Sequence, residues 1–223
     1  MADLPFVVDD SPQGSAAWLQ ARTGFITGSR AADVLATRKD GTPAAARTDY
    51  LTQLVAELLT GQPQETGIVT PWMTRGTELE PQARLALERH LDQPIFECGF
   101  IRSRLHLLGC SIDGYVGQSP AHGIVELKCP KPATHLRYLK AGRIPSDYLP
   151  QVLHNLLVTT APQAWFASFC PQMPPAMQLM VCHVRRMELA EELESYARAV
   201  QAFEQELITE VSNWRNYVTA RAD

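Results

Sequence analysis

Apolar positions recur at helical spacing along much of the chain, and Pro- and Gly-marked breaks divide the first third into separate pieces. Ser15 to Arg22 predicts a short helix stopped at Gly24. Thr27, Gly28 and Ser29 then place small polar residues at the N-terminus of a helix over Arg30 to Ala36, where free backbone N–H groups collect. Tyr50, Leu51, Leu54, Val55, Leu58 and Leu59 form the stripe of a third helix, ended by Gly61 and Pro63. Leu79, Ala83, Leu87 and Leu91 mark a fourth over Thr77 to His90, with Pro81 in its first turn and Glu80 near its start. From Ile95 to Val116 the pattern changes to branched and aromatic residues without a helical period, which predicts strands, and Ile124 to Cys129 continues the sheet. Leu149, Val152, Leu153, Leu156 and Leu157 mark another helix. Trp165 to Phe169 and Gln178 to Val184 form a hairpin around a Pro-rich turn, and a long helix follows. The order predicts an α/β (α+β) layered fold, a mixed central sheet flanked by helices. It forms one domain over residues 1–223, with N-terminal helices at 15–91, a sheet at about 95–130 and helix, hairpin and helix at 148–217.

Length and composition fit this picture. At 223 residues and 45% hydrophobic content the chain can bury one core and has too little net charge for disorder. No stretch joins a basic segment to an apolar run at the start, and none is long and apolar enough to span a membrane, so a soluble, unsecreted protein is expected. The five cysteines are odd in number and lack a Cys-x-x-Cys pair, consistent with reduced cytosolic thiols. The six histidines, at 90, 106, 122, 135, 154 and 183, show no metal-ligand spacing.

A net charge of −4 argues against a nucleic-acid partner until its distribution is considered. Seven glutamates face one arginine between Glu188 and Glu210, and setting these aside leaves 17 acidic and 19 basic residues. Basic residues cluster at Arg22, Arg30, Arg38, Lys39 and Arg47, and again at Lys128, Lys131, Arg137, Lys140 and Arg143. Such clusters suit a phosphate track, or equally an ordinary solvated face.

Candidate chemistry concentrates around one turn. Gly117 to His122 has the composition of a tight reversal, and a reversal centred between Ser119 and Pro120 sets Asp113 opposite Glu126 in an antiparallel pair. Directly opposed strand residues have Cβ atoms about 4.5–5.5 Å apart, where two carboxylates repel unless a cation or proton lies between them. Lys128 projects from the same face as Glu126, while Leu127 points into the core. Paired carboxylates with a backbone carbonyl between them are hard ligands suited to magnesium or manganese, and the lysine can serve a metal-bound water or a phosphoryl oxygen. A structural Glu126–Lys128 ion pair is the plain alternative.

Asp113 followed by Glu126-Leu127-Lys128 resembles the PD-(D/E)xK nuclease motif, with Ile112 where proline is usual. The surrounding segments, Trp18 to Ser29, Arg75 to Pro81, Ser111 to Gly114, Glu126 to Pro130 and Tyr148 to Val152, resemble in order those of the phage lambda exonuclease family of viral recombination nucleases. The resemblance runs from Trp18 to Trp214. It implies a restriction-endonuclease-like core and a homotrimeric ring that threads duplex DNA. It also implies degradation of the 5′-ended strand to mononucleotides in the cytoplasm of a bacterial host, encoded by a phage or prophage, with a single-strand annealing protein as partner. A ring also explains why the chain need not be strongly basic.

Residue by residue, the resemblance implies that Asp113, Glu126 and the Leu127 carbonyl hold Mg2+, for which Mn2+ can substitute, and that Lys128 is the catalytic lysine. Glu80 is implied as a further acidic ligand for a second ion, and Gln151 as the active-site glutamine. Without the family, Glu80 is an ordinary first-turn helix acid facing the dipole. Arg22, Ser29 and Ser111 match a pocket for the terminal 5′-phosphate, chemistry that a helix N-terminus with hydroxyls and a guanidinium suits; a surface cation and a helix cap are the alternatives. Met73 falls near the family's end-splitting wedge, although Met and Trp beside a helix start also suit a core. Two other readings stay open: an endonuclease or junction resolvase on the same fold, and a DNA-binding module without catalysis.

Overall fold

The computed structural model describes residues 4–64 and 71–221, and the side chains of all of these except 71–74. The first part contains β1 (Phe6–Asp9), α1 (Ala16–Ala21), β2 (Ile26–Thr27), α2 (Ala31–Val34), α3 (Ala45–Thr60) and α4 (Pro71–Leu91). The middle contains β3 (Ile95–Phe96), β4 (Phe100–Ser103), β5 (Leu108–Cys110), β6 (Gly114–Val116) and β7 (Ile124–Lys128). Then follow α5 (Pro132–Ala141), α6 (Leu149–Thr159), β8 (Gln163–Phe169), β9 (Leu179–Arg185) and α7 (Ala190–Thr219).

The strands form two sheets. One is four-stranded, β1-β4-β5-β2, with β2 parallel to β5; the other is five-stranded, β3-β6-β7-β8-β9, with only β7 and β8 parallel. The parallel pair needs a crossover, which α5 and α6 supply. Strand β7 is the middle strand of its sheet, and Ile124, Val125 and Leu127 are buried. Ile124 belongs to the core shared with α6, whereas Val125 and Leu127 pack with Ala83 and Leu87 of α4. Alternation along the strand therefore sends Glu126 toward the α6 side, where it is 1% exposed.

Helix α6 lies between the sheets, against β4 and β5 on one side and β7 and β8 on the other. It is consequently buried nearly all round, including the polar residues His154, Asn155 and Thr159. His154 donates Nε2–H to the Gly109 carbonyl at 2.9 Å, so its Nδ1 accepts from the Tyr196 hydroxyl at 2.8 Å, tying α6 to β5 and α7. Burial, only partly offset by these bonds, pushes His154 down to about 4. The unfolded chain therefore binds an extra proton between about pH 6.5 and 4, and the contribution of His154 to stability is full above that window and lost as pH falls through it. Relative to a His154→Gln variant, the parent should lose up to about 3 kcal/mol across that window, a difference that urea unfolding at pH 7, 5 and 4 measures. Parallel pH profiles would contradict it.

Several elements differ from the sequence expectation. Strand β1 lies ahead of the first expected helix, where no element was expected, β2 lies within the span 15–91 read as helical, and α5 was not expected. Both strands are short, and the two residues of β2 leave no room for an alternating pattern. The helix expected over Arg30 to Ala36 is only four residues long, preceded by a 3-10 turn over Gly28–Arg30 that contains Ser29, so Ser29 is not its cap. Helix α4 begins at Pro71, which puts Pro81 and Glu80 in its interior. That removes the first-turn dipole explanation of Glu80.

Candidate active site

The β6–β7 ladder has the register expected from the turn: Gly114 faces Val125 and Tyr115 faces Ile124. The Asp113 N–H continues it, donating to the Val125 carbonyl at 3.2 Å. Beyond that point the strands part, and the Leu127 N–H donates to Asp113 Oδ2 at 2.6 Å. Asp113 is thus fixed to the backbone between Glu126 and Lys128. One Glu126 oxygen accepts from Lys128 Nζ in a short contact, and the other accepts from Asn155 Nδ2 at 3.1 Å. The Lys128 ammonium also lies 5.0 Å from the centre of the Tyr148 ring.

Asp113, Leu127 and Lys128 line a cavity of about 620 Å³ at the C-terminal end of β7, together with Thr77, Glu80 and Tyr148, while Glu126 lies buried behind Lys128. A second cavity of about 630 Å³ meets it at Thr77, Glu80 and Asp113, and contains Arg84 and Glu97. The Glu80 carboxylate accepts from Arg84 Nη2 at 3.1 Å, and Arg84 also pairs with Glu97 at 2.6 Å. Burial pushes Glu126 up to about 7 against the opposing charge of Lys128, and burial with the nearby Asp113 pushes Glu80 up to about 7. Burial raises Asp113 as well, despite Lys128. Burial alone would lower Lys128, but Glu126 and Asp113 outweigh it and the net shift is upward. Burial therefore disfavours the charged form of all three carboxyls.

Among the described residues no three His, Cys, Asp or Glu side chains converge closely enough to enclose a metal by themselves. Asp113 and Glu126 with the intervening backbone form an oxygen donor set, while Glu80 is held by Arg84. Two carboxylates suffice for magnesium, which keeps several waters and takes the rest of its shell from substrate phosphate.

Arg22, Ser29 and Ser111 are brought together by the fold. Arg22 Nη2 donates to Ser29 Oγ and Thr27 Oγ1, both at 3.3 Å, and its guanidinium lies 4.4 Å from the Trp18 ring centre. The Trp18 indole N–H donates to Ser111 Oγ at 3.0 Å. Only Ile112 separates Ser111 from Asp113, so this cluster and the acidic pair share one chain segment. Gln151 stands in the first turn of α6, half-buried, and none of its hydrogen bonds among the described residues reaches the acidic pair. The side chain of Met73 lies outside the described residues.

Sequence reasoning missed Asn155, Arg84, Thr27 and Arg75 as neighbours of these groups. Arg75 donates to the Cys129 carbonyl at 2.8 Å and pins the segment after β7. Asn155 carried a faint signal, since it stands one helical turn after Gln151 on the same face. Arg84 pairs with Glu80 at i,i+4 on its own helix, a local pattern, but its second partner, Glu97, lies in a loop beyond the helix.

Comparison with known proteins gives the family and the fold. The family model of the YqaJ-like viral recombinase domain matches residues 17–162, well over half of the chain. An alkaline exonuclease from Laribacter hongkongensis, LHK-Exo, is 31% identical and superposes with a TM-score of 0.77, covering 92% of this chain and 99% of that one. The structure of LHK-Exo in complex with dAMP matches equally well. A phage-related exonuclease from Haemophilus somnus 129PT shares the fold at 16% identity and a TM-score of 0.56, covering 83% of this chain and 96% of that one. A search of curated proteins gives no match. With its motifs in family order, the family match across residues 17–162 and the alkaline exonuclease fold, the chain belongs to the YqaJ-like viral recombinase family, the lambda exonuclease group that its sequence resembles.

Proposed function

We propose that this chain is a Mg2+-dependent exodeoxyribonuclease that degrades the 5′-ended strand of linear duplex DNA to mononucleotides, leaving 3′ single-stranded overhangs for an annealing partner. The observation that carries the reading is the convergence, fixed by strand register, of Asp113 and Lys128 on one cavity wall with the buried Glu126 bound directly to Lys128. The alkaline exonuclease likeness supports a DNA substrate and exonucleolytic attack, and the dAMP bound by that relative supports a mononucleotide product.

Asp113, Glu126 and the Leu127 carbonyl would hold the divalent ion, Mg2+ or Mn2+, because they supply hard oxygens where burial disfavours bare carboxylates. When bound, such an ion supplies Lewis-acid polarisation and a nucleophile at neutral pH. Lys128 presents a positive charge to the phosphoryl oxygens as negative charge builds on them. Glu80 would serve a second ion on releasing Arg84, and Gln151 would approach the substrate from the first turn of α6. Arg22 with Ser29 and Ser111 would take the terminal 5′-phosphate through charge-assisted hydrogen bonds, which sets polarity. A trimeric ring threaded by DNA accounts for a chain of net charge −4 acting on a polyanion.

Three substrates in magnesium test this: 5′-phosphorylated linear duplex, the same duplex with 5′-hydroxyl ends, and covalently closed circles. The phosphorylated linear duplex should be consumed to mononucleotides, the hydroxyl-ended one more slowly, and the circle left intact. Arg22→Ala should erase most of the preference for the phosphate, on the order of tenfold or more for one charged hydrogen-bond donor. Cutting of the circle would favour an endonuclease, and an unchanged end preference in Arg22→Ala would remove the pocket assignment.

A further inference from the structure

Three polar side chains are buried within α6, and packing accounts for two of them. His154 joins α6 to its neighbours, and Thr159 caps a backbone carbonyl of its own helix. Asn155 is different. It is fully buried, its Nδ2 donates to Glu126 Oε2 at 3.1 Å, and its Oδ1 has no hydrogen-bond partner among the described residues. Turning the amide over would set two acceptors against each other, so the amino group belongs on the carboxylate side. An unpartnered buried acceptor is destabilising, and fold stability alone would favour an apolar residue here.

The other end of the amide faces Gly28. A Cβ on Gly28 would lie 2.3 Å from Asn155 Oδ1, closer than any real contact. Gly28 does not occupy the left-handed region, so its backbone does not require glycine. What requires it is the room taken by Asn155. Gly28 stands between Thr27 and Ser29, the two hydroxyls that accept from Arg22. One side chain thus touches Glu126 at one end and, at the other, the turn of the candidate phosphate pocket.

We infer that Asn155 is a positioning residue that sets the Glu126 carboxylate for metal holding and spaces it from the turn bearing Ser29. A DNA end seated by its terminal phosphate is then presented to the acidic pair in fixed register. Lys128 holds one Glu126 oxygen and Asn155 the other, so losing Asn155 frees the carboxylate to rotate. Gly28 and Asn155 act as one unit, because a methyl group at 28 matters only while the amide is there. The inference rests on the nuclease reading above.

A double-mutant cycle tests it, using Asn155→Ala, Gly28→Ala and the pair together. The readouts are Mn2+ affinity of the DNA-free protein by calorimetry, kcat and KM on 5′-phosphorylated linear duplex, and thermal unfolding as a control for the fold. Asn155→Ala should weaken Mn2+ binding and lower kcat by about 10- to 100-fold, the usual cost of removing the partner that orients a metal ligand, with KM nearly unchanged. Gly28→Ala should do the same by displacing the amide. The double variant should be no worse than Asn155→Ala alone. Asn155→Leu, which keeps the branching but cannot donate, carries the same first readouts if the alanine variant does not fold. Parental Mn2+ affinity and kcat in a folded Asn155 variant would overturn the inference, as would losses that simply add. A parent chain that neither binds Mn2+ nor consumes linear duplex would instead overturn the nuclease reading, and the inference with it.

Discussion

An Asp113→Asn protein is expected to hydrolyse linear duplex at least about a thousandfold more slowly than the parent, to bind it nearly as well, and to melt at a higher temperature. The rate loss follows from removing one of the two carboxylates proposed to hold the ion, an interaction worth several kcal/mol in the transition state. The gain in stability follows from electrostatics. Asp113 raises the cost of ionising both Glu126 and Glu80, and asparagine removes that repulsion while still accepting from the Leu127 N–H. Relief of about 1 kcal/mol raises the melting temperature of a protein this size by about 2–4 °C, which scanning fluorimetry without metal resolves. Activity lost with stability gained marks a group kept for function. Parental turnover would move the chemistry elsewhere, and a lower melting temperature would make Asp113 a structural partner.

Lys128→Met should also abolish most activity, by about a hundredfold or more, since the preorganised charge proposed to face the reacting phosphoryl group is lost. Its effect on stability should have the opposite sign. Glu126 is 1% exposed and would keep only the Asn155 amide as partner, and breaking a buried ion pair costs about 3–5 kcal/mol. The melting temperature should fall by about 10 °C on that scale. The two variants together separate a catalytic lysine from a structural ion pair. A destabilised Lys128→Met protein with parental kcat would show that the ammonium serves Glu126 alone.

The central chemistry was legible because it is local. Asp113, Glu126 and Lys128 lie within one hairpin, where alternation and turn position fix which side chains share a face, and the observed pairing of Gly114 with Val125 has that register. Helix α3 was legible for a similar reason: a continuous apolar stripe ends at Gly61, whose left-handed φ of 66° closes the helix. The N-terminal third was harder. Strand β2 has two residues and pairs with β5, about eighty positions away, so nothing near it in sequence marks it as a strand. Pro81 suggested a helix start, but α4 runs through it from Pro71, its far half anchored by Ala83 and Leu87 against β7 and β8. There tertiary packing outweighs a local helix-breaking signal.

By itself the sequence determined the hydrophobic periods, the turn between β6 and β7, and hence the acidic pair with its lysine, because these depend on residues a few positions apart. Only the tertiary structure decided that the Arg22 cluster closes onto Ser111 through Trp18, that Arg84 also reaches Glu97, and that Asn155 fills the space between Gly28 and Glu126. The Trp18 and Asn155 contacts join segments up to about 130 residues apart in sequence, and the second forms because α6 is packed between two sheets whose separation no local pattern encodes.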